Sequence, residues 1–94
     1  MLELRHLNTL TALRAHGSLA AAADELHVTA SAVSHQLKEL ENYYDISLVN
    51  RRTRPLTFTP AGKMVLALAD SIMPQVTRTK SNLKRLAHGQ AGRL

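Results

Sequence analysis

The stretch from Ser18 to Leu40 constrains the fold most, because it reads as two helices joined by a very short turn. Ser18 and Thr29 suit the N-cap of a helix, since each hydroxyl oxygen can accept a hydrogen bond from a free N–H group of the first turn. The alanines at positions 20–23 favour a helix and have almost no bulk, so a second helix can cross the first one closely. The turn is confined to residues 26–28, and the sequence therefore predicts a helix-turn-helix.

The second helix of this pair has two different faces. Its apolar residues recur at helical spacing and form one stripe at about 100° per residue: Val33, Leu37, Leu40 and Tyr44. Polar side chains fall on the opposite side: Ser31, Ser34, His35, Lys38 and Asn42. A face rich in hydrogen-bonding groups and poor in acidic ones suits a helix that enters the major groove of DNA. The alternative is an ordinary amphipathic helix whose polar face is only solvated.

Shorter elements flank the helix-turn-helix. Residues 3–15 predict a first helix, which Gly17 can end in the left-handed conformation. This helix turns four leucines inward: Leu4, Leu7, Leu10 and Leu13. Residues 46–49 and 56–59 are β-prone and enclose an arginine-rich loop that contains Pro55. The pattern predicts a two-stranded wing.

A long helix is predicted from Pro60 to about Ala87, since a proline at the first helical position costs no hydrogen bond. Its apolar positions follow a 3.5-residue repeat, typical of a helix that packs along another helix. This seam comprises Val65, Ala69, Ile72, Val76, Thr79, Leu83 and Leu86. At about 1.5 Å per residue the helix would span roughly 42 Å, more than so small a domain can cover, so we infer a second copy of the chain. The alternative is that its first half packs on its own domain and its second half frays, and Pro74 tends to kink it.

The chain thus divides into three parts within a mainly α fold. Residues 1–59 form a winged helix-turn-helix, and residues 60–87 form the dimerisation helix. Residues 88–94 contain two glycines and no apolar stripe. We expect this tail to be a hinge that leads to a further domain absent from this sequence.

Charge is divided unevenly along the chain. Residues 1–50 carry three basic and six acidic side chains, a net charge of −3, whereas residues 51–94 carry nine basic residues and one acidic residue, a net charge of +8. Three arginines lie close together, at Arg51, Arg52 and Arg54. A strongly basic half indicates a polyanionic partner, of which nucleic acid is the commonest. Two rival functions fit the same charge: an architectural DNA binder without sequence preference, and a helical dimeric adaptor for an acidic protein.

Other chemistry has little support in the sequence. The five histidines have neither an i, i+4 pair nor a cysteine partner, so no metal site and no cofactor is expected. Ser34 and His35 are neighbours on a helix and point about 100° apart, so they do not form a nucleophile–base pair, and no enzymatic activity is expected. The sequence has no signal-peptide pattern and no apolar run of membrane-spanning length. We therefore expect a cytoplasmic protein.

Together these segments resemble the N-terminal DNA-binding domain of LysR-type transcriptional regulators, over essentially the whole chain. The matching segments are residues 4–7, 17–23 with Leu26, 29–34, 36–37, 40–41, Leu48 with Arg51, 54–55 and 59–62. Within that family, residues 16–19, 34–36 and 58–62 look most similar to the regulators of methionine biosynthesis.

The resemblance implies a winged helix-turn-helix that dimerises through antiparallel linker helices and binds double-stranded DNA. It implies base contacts from Ser31, Ser34 and His35 in the major groove. It implies phosphate contacts from Thr29, Gln36, Lys38, Arg51 and Arg52, and a minor-groove contact from Arg54. Complete members of the family carry a C-terminal effector-sensing domain. No small-molecule ligand is therefore expected in this fragment, and a tetramer of the intact protein is left open.

Two departures from the family pattern affect the predicted reading of bases. Ala30 stands where many relatives have glutamine, which removes one candidate base contact. His35 stands where many have arginine, so the bidentate recognition of guanine is lost or softened there. Val49 replaces the common phenylalanine and Asp45 the common glycine. Asp45 can still adopt the left-handed conformation more readily than most residues.

Overall fold

Four helices and one two-stranded antiparallel sheet make up the described part of the chain. The computed structural model describes the backbone of residues 1–93 and the side chains of residues 1–89. The elements, in chain order, are α1 (Leu4–His16), α2 (Leu19–Leu26), α3 (Ala30–Tyr44), β1 (Val49–Asn50), β2 (Thr57–Phe58) and α4 (Pro60–Arg93). This architecture confirms the predicted winged helix-turn-helix with a long terminal helix.

The helix boundaries follow from local hydrogen bonds, and both predicted N-caps are confirmed. Ser18 Oγ accepts a hydrogen bond from the Ala21 N–H at 3.2 Å, and Thr29 Oγ1 accepts one from the Ala32 N–H at 3.1 Å. Three helices end at a residue in the left-handed conformation: Gly17 (φ 74°), His27 (φ 59°) and Asp45 (φ 53°). Because these caps stop each helix abruptly, the connections stay short and hold α2 against α3.

One hydrophobic core joins α1, α2, α3, the wing and the start of α4. Its largest fully buried apolar side chains are Leu10, Leu13, Val33, Leu37 and Leu40, all at predicted inner positions. The prediction was wrong for Leu4 and Tyr44, which are 51% and 50% exposed. Both lie at a helix end, where the residue is on the correct side of its helix but no neighbouring element covers it.

The wing is shorter than predicted. Strands β1 and β2 pair antiparallel, with Val49 opposite Phe58, and each has only two residues. The Leu48 N–H donates a hydrogen bond to Glu41 Oε2 at 2.7 Å. The segment before β1 is therefore held from two sides, by this side chain of α3 and by Thr59 after β2, whose N–H donates to the Leu48 carbonyl at 3.0 Å.

The first half of α4 packs on α1. Leu66 and Ala69 are buried there, and Arg14 of α1 forms a two-fold hydrogen-bonded ion pair with Asp70, at 2.6 and 3.0 Å. This packing confirms part of the alternative stated above, that the N-terminal half of the helix belongs to its own domain. It fixes the direction in which α4 leaves the domain.

The second half of α4 extends away from the domain, and the longest dimension of the molecule is 55 Å. Every residue from 77 to 89 is exposed. The predicted end near Ala87 was wrong, since the helix continues through Pro74 and on to Arg93. Gly89 and Gly92 lower helix stability by about 1 kcal/mol each and do not forbid a helix. Leu94, the last residue of the predicted hinge, lies outside the described residues.

Candidate nucleic-acid interface

The structure brings the polar residues of α3 together on one side. We define the α3 outer face as Ser31, Ser34, His35, Lys38 and Asn42, of which Ser34 is half-buried and the others are exposed. The opposite side of α3 packs into the core through Val33, Leu37 and Leu40. The α3 outer face has two hydroxyls, an imidazole, an ammonium and an amide, and it has no acidic group. It therefore offers donors and acceptors that match the edges of base pairs.

Thr29 and Lys38 flank the residues predicted to read bases. Both are exposed, Thr29 at the start of α3 and Lys38 in its middle. Because the Thr29 oxygen already accepts the Ala32 N–H, its hydroxyl hydrogen remains the group that can reach a phosphate.

Gln36 does not join the α3 outer face. Its Oε1 accepts a hydrogen bond from the hydroxyl of Thr9 in α1 at 2.7 Å, and Thr9 is buried. At about 100° per residue, Gln36 lies on the far side of the helix from Lys38. The geometry thus favours a tie between α1 and α3 over the phosphate contact that the family resemblance implies for this residue.

The three arginines of the wing have different surroundings. Arg51 is half-buried and donates from Nη2 to Glu41 Oε1 at 3.1 Å. Arg54 is exposed and donates from Nη1 to the carbonyl oxygens of Arg51 and Thr53, at 2.9 and 3.1 Å. Arg52 is exposed and its side chain makes no hydrogen bond to the described part of the protein. Arg52 is therefore the wing guanidinium with the most freedom to meet a phosphate.

A cleft of about 250 Å³ lies between the N-terminus of α2 and the wing. Its lining residues are Gly17, Ser18, Leu19, Ala20, Arg51, Arg54 and Leu56. The Leu56 N–H donates to the Gly17 carbonyl at 2.9 Å and fixes the wing at this edge. The sequence did not reveal this cleft, because it joins segments that no local pattern connects.

The predicted seam of α4 is only partly free to meet a second chain. Ala69 is 0% exposed within its own protomer, so its place in the seam was wrong. Val65 also packs partly against the core. The remaining members become progressively more exposed along the helix: Ile72 and Val76 are half-buried, while Thr79, Leu83 and Leu86 are exposed.

The ion pair between Arg14 and Asp70 connects α1 to α4 and shifts the pKa of both side chains. The hydrogen bond from Arg14 lowers the pKa of the Asp70 carboxyl from its usual value, and the same hydrogen bond raises the pKa of Arg14. Both groups therefore stay ionised at neutral pH and hold α4 against α1.

Two further findings concern the described residues as a whole. Within residues 1–93, no helix combines the length and the apolar character needed to cross a membrane. The described side chains contain no group of three histidines or carboxylates placed to hold a metal ion.

The amino-acid sequence matches a known family and several curated relatives. The family model described as "Bacterial regulatory helix-turn-helix protein, lysR family" matches residues 4–63. The HTH-type transcriptional regulator MetR of Haemophilus influenzae is 44% identical over 93 residues, which are 99% of this chain and 30% of that protein. MetR of Salmonella typhimurium is 51% identical over 78 residues, 83% of this chain and 25% of that protein. The chain thus spans less than a third of the length of these relatives.

Solved structures share the fold over nearly the whole chain. The DNA-binding domain of BenM in complex with benA site 1 DNA has a TM-score of 0.79 and 34% identity, covering 94% of this chain and 99% of that one. The CbnR DNA-binding domain in a DNA complex has a TM-score of 0.74 and 30% identity, covering 92% and 99%. Full-length LysG from Corynebacterium glutamicum with bound Arg has a TM-score of 0.80 and 33% identity, covering 93% of this chain and 30% of that one.

Proposed function

Because the chain belongs to the lysR family of bacterial regulatory helix-turn-helix proteins, we propose that it binds double-stranded DNA at specific sequences as a homodimer. It is a DNA-binding domain of the kind found in transcriptional regulators, and not an enzyme. The observation that supports the proposal most directly is the α3 outer face, which is exposed and free of acidic groups in a fold that relatives use in DNA complexes.

In this proposal the α3 outer face enters the major groove. Ser31, Ser34 and His35 read base edges, and the single imidazole of His35 discriminates less sharply than a bidentate arginine would. Thr29, Lys38 and Arg52 hold phosphates, which position the domain without reading sequence. Arg51 contributes charge beside the cleft, and Arg54 reaches the minor groove, whose narrow A·T-rich form attracts arginine.

The homodimer is proposed to form along the free side of α4. At about 100° per residue, one arc of about 120° on α4 contains no charged residue between residues 60 and 89. Its larger apolar members include Met64, Leu68, Ile72, Val76, Leu83 and Leu86. Leu83 and Leu86 are 60% and 62% exposed in the single chain. A second α4 laid antiparallel would cover both leucines and present two α3 helices to successive turns of the duplex.

We further propose methionine-pathway genes as the targets and the bacterial cytoplasm as the location. Support comes from the two MetR proteins, at 44% and 51% identity.

Selection of bound sites from random DNA tests the proposal. We expect enrichment of inverted repeats, steep weakening of binding with salt, and a preference of orders of magnitude over random duplex. Steep salt dependence without preference would favour the architectural binder instead. Little DNA affinity at moderate salt would favour the adaptor for an acidic protein.

A further inference from the structure

Glu41 of α3 has a largely enclosed carboxylate whose two oxygens bind different parts of the wing. The side chain is 11% exposed. Its Oε2 accepts the Leu48 N–H at 2.7 Å, with longer contacts to the Val49 N–H and the Ser47 hydroxyl at 3.5 and 3.4 Å. Its Oε1 accepts from Arg51 Nη2 at 3.1 Å. Oε2 thus holds the start of β1, and Oε1 holds the arginine that follows β1.

The contact continues from Arg51 to Arg54. The Arg51 carbonyl oxygen accepts a hydrogen bond from Arg54 Nη1 at 2.9 Å, and the Thr53 carbonyl accepts from the same nitrogen at 3.1 Å. Arg51 Nε is buried and has no hydrogen-bond partner among the described residues, so the pair with Glu41 is the anchor of that guanidinium. Three residues from α3 to the tip of the wing therefore form one hydrogen-bonded relay.

We propose that Glu41 is a positioning residue for Arg54, acting through Arg51, which rests on the proposed minor-groove role of Arg54. A long arginine side chain loses conformational freedom when it enters a groove, and restricting it beforehand reduces that loss on binding. The relay also links the wing to α3, so the minor-groove contact keeps a fixed position relative to the base-reading face.

The loss of charge and the loss of positioning predict effects on two different quantities when Glu41 is neutralised. Glu41→Gln removes a negative charge from a protein that binds a polyanion, which by itself strengthens binding to every sequence. The amide keeps an oxygen for the Leu48 N–H but offers its NH₂ group, a donor, toward Arg51. Loss of positioning should therefore lower the preference for A·T-rich flanks without a general loss of affinity.

The test measures Kd for two duplexes that share one selected core and carry either A·T or G·C flanks under the wing. The Kd ratio is the Kd of the G·C-flanked duplex divided by the Kd of the A·T-flanked duplex. Arg54→Ala defines the Kd ratio without the minor-groove contact. We expect Glu41→Gln to shift the ratio from the wild-type value to that of Arg54→Ala, and the double variant to shift it no further. Ser47→Ala removes the long contact to Oε2 and the hydrogen bond of the same hydroxyl to the Val49 carbonyl, but it leaves the pair of Glu41 with Arg51 in place and should keep the wild-type ratio. A folded Glu41→Gln protein with the wild-type ratio would overturn the proposal.

Two additions keep the outcome decisive. If Glu41→Gln fails to fold, Arg51→Gln breaks the same relay from the other side, leaves the Oε2 bonds intact, and should lower the ratio equally. In the DNA-free protein, ¹⁵N relaxation of the Arg54 guanidinium should report greater motion in either variant. Unchanged Arg54 motion would overturn the relay itself. A wild-type Kd ratio of one, with increased Arg54 motion in the variants, would instead overturn the minor-groove role of Arg54 and leave the relay in place.

Discussion

Gly62 in the first turn of α4 lies directly against the carbonyl of Leu48. A Cβ added to Gly62 would stand 2.0 Å from the Leu48 oxygen and 3.0 Å from its carbon. Real Cβ atoms do not approach a backbone oxygen so closely, so the absence of a side chain allows α4 to start against the segment that leads into the wing.

Gly62→Ala should therefore destabilise the domain by about 3 kcal/mol, because either α4 or the backbone at Leu48 must move. The free energy of unfolding from chemical denaturation measures this. Gly89→Ala is the matched control, since a Cβ there meets no described atom within 4 Å. It should be neutral or slightly stabilising, because alanine favours a helix. Equal stability of the Gly62→Ala protein and the wild type would contradict the close approach.

The Arg14–Asp70 pair predicts a pH dependence of stability. Since the hydrogen bond from Arg14 lowers the pKa of Asp70 below 3.8, the pair stabilises the fold above that pH and loses its effect as pH falls through the lowered value. Asp70→Asn should therefore have a slightly lower Tm than the wild type at neutral pH, and the two should converge in strong acid. The effect is small because both side chains are exposed.

Thermal unfolding across an acid-to-neutral series tests this prediction. Asp24→Asn removes an exposed acid with no ion-pair partner among the described residues, and its Tm should follow the wild type. A Tm difference for Asp70→Asn that stays constant across the series would exclude titration of Asp70 as its cause.

His35→Ala should change base preference more than overall affinity. His35 is exposed in the α3 outer face and carries the one imidazole there, so its loss should cost about 1–3 kcal/mol at one base pair. Binding to a set of single-base variants of the selected site measures this profile. His88→Ala, at an exposed position far along α4, should leave the profile unchanged. A His35→Ala profile identical to the wild type would remove His35 from the base-reading face.

Leu83→Asp should convert the dimer to a monomer. Leu83 is 60% exposed in the single chain, so the substitution spares the core, but it places a charge in the proposed apolar contact. Sedimentation equilibrium gives the dissociation constant. Lys84→Asp is the control, because it changes the net charge by more than Leu83→Asp does but lies at the next position, outside the uncharged arc. It should dimerise like the wild type. A Leu83→Asp protein that remains dimeric would place the contact on another surface.

Local signals in the sequence were sufficient for the helix caps and the inner faces of the helices. Ser18 and Thr29 act through hydrogen bonds to residues three positions away, and such contacts are visible in sequence. The face of a helix also follows from spacing, but the reach of its neighbours does not, which is why Leu4 and Tyr44 were misplaced.

Contacts between distant polar residues were not predictable. The sequence places Gln36 on the surface, because its hydrogen-bond donor, Thr9, lies 27 positions away in the chain. Glu41 accepts from the Leu48 N–H and from Arg51, yet its spacing resembles that of any helical acid. Ala69 fits a dimer seam by period alone, and only the position of α1 shows that the protomer covers it.

The exposed outer half of α4 has a consequence for how the protein behaves on dilution. An isolated helical segment of this length is only marginally stable in water. If its order comes from a second chain, then helix content is a function of protein concentration. The helical signal in far-ultraviolet circular dichroism should decrease on dilution. The backbone amides of the buried leucines around Leu37 should remain protected from hydrogen exchange. Dimerisation and helix formation in the last turns of α4 would then be a single equilibrium.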